Sequence, residues 1–178
     1  MDRRSRRVVL LAHCILNQNA VVEPLARRPG ALEGIARLCL EAGVGLLQLP
    51  CPELIERGAG RAPDERSGYD TPAQRALCRR LLEPVRVQVA AYREAGYEIV
   101  GLIGIGHSPS CGVHTTHERG GAIPGRGVFM EALLALLPEL EGRVLEVPRR
   151  YAEDPEVTRR FEEELRALCP ERGGQHGA

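Results

Sequence analysis

The chain has no lysine and no tryptophan, and only four tyrosines and two phenylalanines. With arginine as the sole strong base, lysine Schiff-base chemistry and a Walker-type phosphate lysine are excluded. Scarce aromatics remove the platforms on which single-stranded nucleic acid stacks. The 24 basic and 24 acidic side chains cancel, so no whole-chain field draws the protein to nucleic acid or a membrane surface. No apolar run reaches the ~20 residues a membrane-spanning helix needs. The basic opening Met1–Arg7 is followed by a short apolar run ending in His13-Cys14, without the long core and cleavage site of a signal peptide. The expectation is a cytoplasmic protein acting on a small molecule, with no nucleic-acid polymer and no membrane as partner. Monomer and homodimer both remain open.

Cysteine is what the chain does have. Six cysteines in a small secreted protein would read as a disulfide framework. Here the chain is 178 residues long and 43% apolar, enough to build a core without staples. Cys39, Cys78 and Cys169 lie within helical patterns and read as small buried hydrophobes. Cys14, Cys51 and Cys111 instead each follow an apolar run and stand beside His, Pro, Glu or Gly.

Helical periodicity alternates with strand-like runs, the pattern of βαβ units and a mostly parallel sheet flanked by helices. Strands are expected over Val8–Ala12, Val44–Leu49, Ile99–Ile105 and Arg143–Val147. Helices are expected at about Ala31–Ala42, Pro72–Ala95, Val128–Leu137 and Asp154–Leu168, with Thr71 and Asp154 as start signals and Gly43 and Gly96 as stops. Pro84 should kink or split the long helix. Residues 56–72 read as a long functional connection. The fold class is α/β, one compact domain over 1–178, with a core of about 6–168 and flexible ends at 1–5 and 170–178.

Residues just past the carboxyl ends of parallel strands converge on one crevice, so Cys14, Cys51 and Cys111 are expected to meet. Three thiolates without a fourth point to a metal centre left open for chemistry. Cys51-Pro52-Glu53 sets a carboxylate two residues from one thiol, as a general acid or base or as a solvent-facing glutamate favoured by a helix N-terminus. In Ser108-Pro109-Ser110-Cys111-Gly112, backbone N–H groups are expected to form an anion nest. There Gly112 allows close passage to whatever Cys111 holds, and the two serines donate hydrogen bonds or relay protons. Gly104-Ile105-Gly106 lacks the setting of a dinucleotide fingerprint. His13, His107, His114 and His117 keep a mixed Cys/His zinc site, and hence a zinc hydrolase, in contention. Recurring soft thiolates fit an iron–sulfur cluster better.

His13-Cys14-Ile15-Leu16-Asn17, Cys51-Pro52-Glu53 and Ser108-Pro109-Ser110-Cys111-Gly112, in that order, resemble the 2-thiouracil desulfurase (thiouracil desulfidase) family, most closely a branch of related desulfidases. The resemblance extends more loosely over residues 6–150. It implies a Rossmann-like domain and a four-iron four-sulfur (4Fe-4S) cluster held by Cys14, Cys51 and Cys111, with one open iron. It also places the family's catalytic glutamate on Glu53 and its catalytic serine on Ser108. The implied reaction is non-redox C–S hydrolysis: the open iron captures the substrate's sulfur, and water activated by the carboxylate attacks carbon. The loop after Cys14, segment 56–72 and His114–His117 depart from the better-known members, so the substrate is a small thiolated compound, not necessarily thiouracil. His13, Asn17, His107, Ser110, His114 and His117 are the candidates for its pocket. A non-catalytic sulfur carrier or redox module is the other reading of such a cluster.

Overall fold

The computed structural model describes residues 2–171. Four strands, β1 (Arg7–Leu11), β2 (Gly45–Gln48), β3 (Glu98–Ile105) and β6 (Val144–Val147), form one sheet in the order β2-β1-β3-β6. Every pairing in it is parallel, with Leu11 opposite Gln48 and Ile103, and Ile105 opposite Val147. β1 is buried along its whole length, as befits a strand covered on both faces. Helix α2 (Glu33–Glu41) packs with α7 (Pro155–Leu168), and α5 (Pro72–Glu94) packs with α6 (Val128–Leu136). Val9, Leu10, Leu11, Leu102, Ile103, Phe129 and Met130 are central to the core. The architecture is the expected Rossmann-like α/β fold.

Local signals act where they stand. Thr71 Oγ1 accepts from Gln74 N (3.1 Å) and Asp154 Oδ1 from Glu156 N (3.0 Å), so both caps satisfy first-turn N–H groups. Helix α5 is not split at Pro84. Pro84 and Arg80, whose carbonyl loses its partner, both lie on the exposed face, where water takes the freed carbonyl's bond.

Three features differ from the sequence reading. The stretch before β2 starts with a one-turn helix α1 (His13–Leu16). Residues 56–72 are not structureless, since α3 (Pro52–Arg57) runs into the segment and α4 (Arg66–Tyr69) lies inside it. Residues 115–124 form a hairpin, β4 (Thr115–Glu118) with β5 (Gly121–Pro124), closed by Arg119 and Gly120 at φ 55° and 72°. Two positive φ angles make a two-residue turn whose twist suits a hairpin. Arg-Gly is a weaker signal for it than Asn-Gly. The tail beyond 171, expected to fray, lies outside the described residues.

No helix among the described residues is long and apolar enough to cross a membrane.

Gly104 admits the chain that carries Cys111. Ile105 N donates to Cys111 O (2.8 Å), and a Cβ on Gly104 would lie 2.6 Å from that same oxygen and against Val113. Gly104→Ala is therefore expected to cost about 1–3 kcal/mol by overpacking and to raise the reactivity of Cys111 toward a thiol probe. Gly60→Ala, with open space around it, should stay within about 0.5 kcal/mol. Urea unfolding compares the two; equal midpoints would show that the contact is not limiting.

Candidate functional site

From β1 the chain goes first to β2 on one side and then to β3 on the other. The crevice at this reversal lies outside the carboxyl ends of β1 and β3, the ligand position of open α/β sheets. Cys14 follows β1 in the first turn of α1, Cys51 follows β2 and caps α3, and Cys111 lies in the loop between β3 and β4.

The thiols feel one another. Burial pushes Cys14 up to about 12, with Cys51 and then Glu53 adding to the rise and Arg27 opposing it. Cys111 is raised well above its ordinary value by burial first, then by Cys51, Cys14, Glu53 and Cys78. Burial also raises Cys51, whose Sγ accepts from Leu54 N at 3.4 Å. Cys14 retains some solvent exposure, whereas Cys51 and Cys111 are each 8% exposed. A donor set this desolvated is held neutral and releases protons when a metal binds. All six cysteines are free thiols. Among the described residues, no three His, Cys, Asp or Glu side chains converge on the position of a single metal ion.

Glu53 sits in the first turn of α3 yet is buried, so it is not the solvent-facing glutamate that the helix-dipole reading allows. Its Oε2 accepts from Arg61 Nε (3.2 Å) and Nη2 (3.1 Å). Arg61, itself 8% exposed, also donates to Ala20 O (2.8 Å) and Gly58 O (3.2 Å), which spends its fork on a fixed position. Oε1 of Glu53 has no hydrogen-bond partner among the described residues.

The Ser108–Gly112 loop is wired internally. Ser108 Oγ accepts from Cys111 N (2.8 Å) and Ser110 N (3.3 Å), and Ser108 O accepts from Gly112 N (3.1 Å). These N–H groups are therefore not a free anion nest. The nest lies one step on, where Glu146 of β6 fills it. Its Oε2 accepts from Val113 N (2.7 Å), His114 N (2.6 Å) and Thr115 N (3.0 Å). Gly112 makes room for backbone rather than for a ligand, because its Cβ would run into Thr115 O. Ser110 Oγ is buried and has no partner.

The remaining candidates scatter. His13 pairs through Nδ1 with Leu49 O (3.2 Å), and Asn17 Oδ1 caps the next turn by accepting from Asn19 N (3.2 Å). His107 and His114 line a cleft of about 310 Å³ with Glu146, Arg149 and Glu164, and none of the cysteines lines it. His117 is half-buried in β4 beside His107.

Sequence reading missed Arg61, Gln18 and Arg27. Gln18 is buried, donates to Cys14 O (2.7 Å) and accepts from Arg27 N (2.9 Å), so it sets Arg27 beside Cys14. The run Asn17-Gln18-Asn19 marks this only as a polar loop; nothing local singles out either arginine.

His107 has φ 64°, left-handed backbone that a histidine adopts at a cost. Its pKa is lowered first by burial and then by Arg149, with His117 and Arg27 adding and Glu146 opposing. The unfolded chain thus takes up this proton first as pH falls, so stability present above about pH 6.5 is lost as pH drops through the lower folded value. His107→Asn, which tolerates the same backbone, should flatten the loss of stability as pH falls below about 6.5. An unchanged profile would assign that pH dependence to other groups.

No family model matches the chain. No solved structure matches it either. The uncharacterized protein MJ0003 of Methanocaldococcus jannaschii is 37% identical over 128 residues, covering 72% of this chain and 76% of the relative. The chain belongs to the same family as that Methanocaldococcus jannaschii protein.

Proposed function

We propose that the chain is a cytoplasmic desulfidase, removing sulfur as sulfide from a small thiolated compound such as a thiolated nucleobase, with a 4Fe-4S cluster held by Cys14, Cys51 and Cys111. The observation that carries this reading is the gathering of three thiols from three strand ends around one buried carboxylate, Glu53. Soft thiolates as the recurring donors suit such a cluster better than zinc. The zinc hydrolase has less support, since His107 and His114 line a cleft that holds none of the three cysteines. Arg27 and Arg61 stand where they offset the negative charge that three thiolates bring into a buried site. Ser110 Oγ, buried beside Cys111 and unpartnered, has a proton to give a sulfur acceptor.

When bound, the cluster supplies an iron with an open coordination position that takes up sulfur. The net change is thiocarbonyl plus water to carbonyl plus hydrogen sulfide. Arg61 holds Oε2 of Glu53, leaving Oε1 to accept a proton from the water that attacks carbon. Ser108 Oγ accepts two backbone N–H bonds and keeps its own proton to donate toward the substrate.

Anaerobic reconstitution with iron and sulfide should give broad absorbance near about 400 nm and about four irons per chain. Cys14→Ser, Cys51→Ser and Cys111→Ser should each lose that signal, and zinc bound in place of iron would overturn the cluster. Glu53→Gln should keep the iron while lowering sulfide release from thiolated nucleobases by about 10²–10⁴-fold. Cluster retention with no turnover on any thiocarbonyl compound would instead favour the sulfur-carrier or redox-module reading.

A further inference from the structure

The other end of the sheet holds a second thiol group, independent of the site above. Cys39 lies in α2 and is fully buried; Cys169 follows the last turn of α7 and is 3% exposed. Both read as small hydrophobes from the sequence, but the packing of α2 on α7 sets them near each other, close enough for each thiol to shift the other's ionisation. Arg7, at the start of β1, fixes this meeting. Its Nη1 donates to Ala42 O at the end of α2 (3.0 Å) and to Pro170 O just after Cys169 (2.9 Å). One guanidinium thus ties together the two chain segments that carry the thiols. Arg7 Nε is buried without a hydrogen-bond partner, Glu98 Oε2 standing off at 3.7 Å.

The geometry points to a redox-active dithiol in which Cys39 and Cys169 are oxidised by a hydroperoxide to a disulfide that ties the end of α7 to α2. Cys169 is the attacking sulfur, because it closes the last turn of α7 and is followed directly by the carbonyl that Arg7 holds. Contact with Cys39 lowers its pKa, burial opposes this, Arg7 adds to the lowering and Glu98 opposes it. A cationic neighbour such as Arg7 is what favours a reactive thiolate. The thiolate attacks one oxygen of the hydroperoxide, so an S–O bond forms and the O–O bond breaks. The alkoxide (hydroxide, for hydrogen peroxide) leaves and takes up the thiol's proton. Cys39 sulfur then displaces hydroxide from the sulfenic acid, forming S–S, and its proton leaves with that hydroxide as water. The dithiol loses two electrons and the peroxide gains two. Access comes from fraying of the final turn of α7, which Cys169 closes through its N–H to Leu165 O (2.8 Å).

The test treats the reduced full chain with hydrogen peroxide, blocks free thiols, and digests after both Arg and Glu, which separates Cys39 from Cys51. The expected product is peptide Leu38–Glu41 linked to peptide Ala167–Glu171, cleaved by dithiothreitol. Closing so long a loop should raise Tm by roughly 5–15 °C, a shift absent in Cys39→Ala and in Cys169→Ala. Because mapping uses the wild-type chain, it stands even where a variant fails to fold. Free, alkylated Cys39 and Cys169 after oxidation, or linkage only among Cys14, Cys51 and Cys111, would overturn the proposal.

Discussion

All four strands of the sheet run the same way, and the arrangement of the thiol site depends on that constraint. Each strand delivers its following residues to the same edge, so thiols far apart in the chain arrive together, with His13 Nδ1 against Leu49 O (3.2 Å) joining two of the segments that carry them. The reversal of direction at β1 opens the crevice between the ends of β1 and β3. Cys14 and Cys111 flank it, and Cys51 joins from the next strand. Close packing then sets the detail. With no side chain at Gly104, the Cys111 loop folds back to bond Ile105 N, so the third thiol lies against its own strand end.

Charge at the site is handled by fixed partners. Glu53 and Arg61 are both buried and bonded to each other, and Arg61 uses its remaining donors on backbone carbonyls. A carboxylate inside protein is tolerated only with such compensation, and the same bonds orient it. Glu146 does for the Cys111 loop what an external anion does for a free nest, filling three backbone N–H groups with one oxygen. The loop is thereby rigid before any ligand arrives, which suits a site whose groups must be held in place. Strain at His107 marks where the chain turns from β3 into that loop.

The opposite end of the sheet uses the same device on the chain itself. Arg7 bridges the end of α2 and Pro170, just after Cys169, through two carbonyls. Helix packing between α2 and α7 brings Cys39 and Cys169 together there, at the opposite end of β1 from Cys14. Two thiol groups on one small domain thus have opposite settings. One gathers around a carboxylate at strand ends, and the other is a close pair beside an arginine.

The elements and their order were legible from local chemistry. Alternating apolar runs and 3.6-residue periodicity marked the sheet and its major helices, and Thr71, Asp154, Gly43 and Gly96 marked helix ends through capping and positive φ. The strand-end position of Cys14, Cys51 and Cys111 also followed, because a parallel sheet has one edge where such residues collect. The hairpin at 115–124 was not legible, since its turn uses Arg-Gly. Nor was the unbroken course of α5 through Pro84, which depends on the proline facing solvent. Ser108 and Asn17 showed their types in the sequence but not their work, which is to hold backbone turns. Only the tertiary structure decided which arginines reach the thiols, that Glu146 fills the nest beside Cys111, and that Cys39 meets Cys169. Each of those is a contact between distant segments, set by how helices and loops pack on the sheet, and no local pattern of residues encodes it.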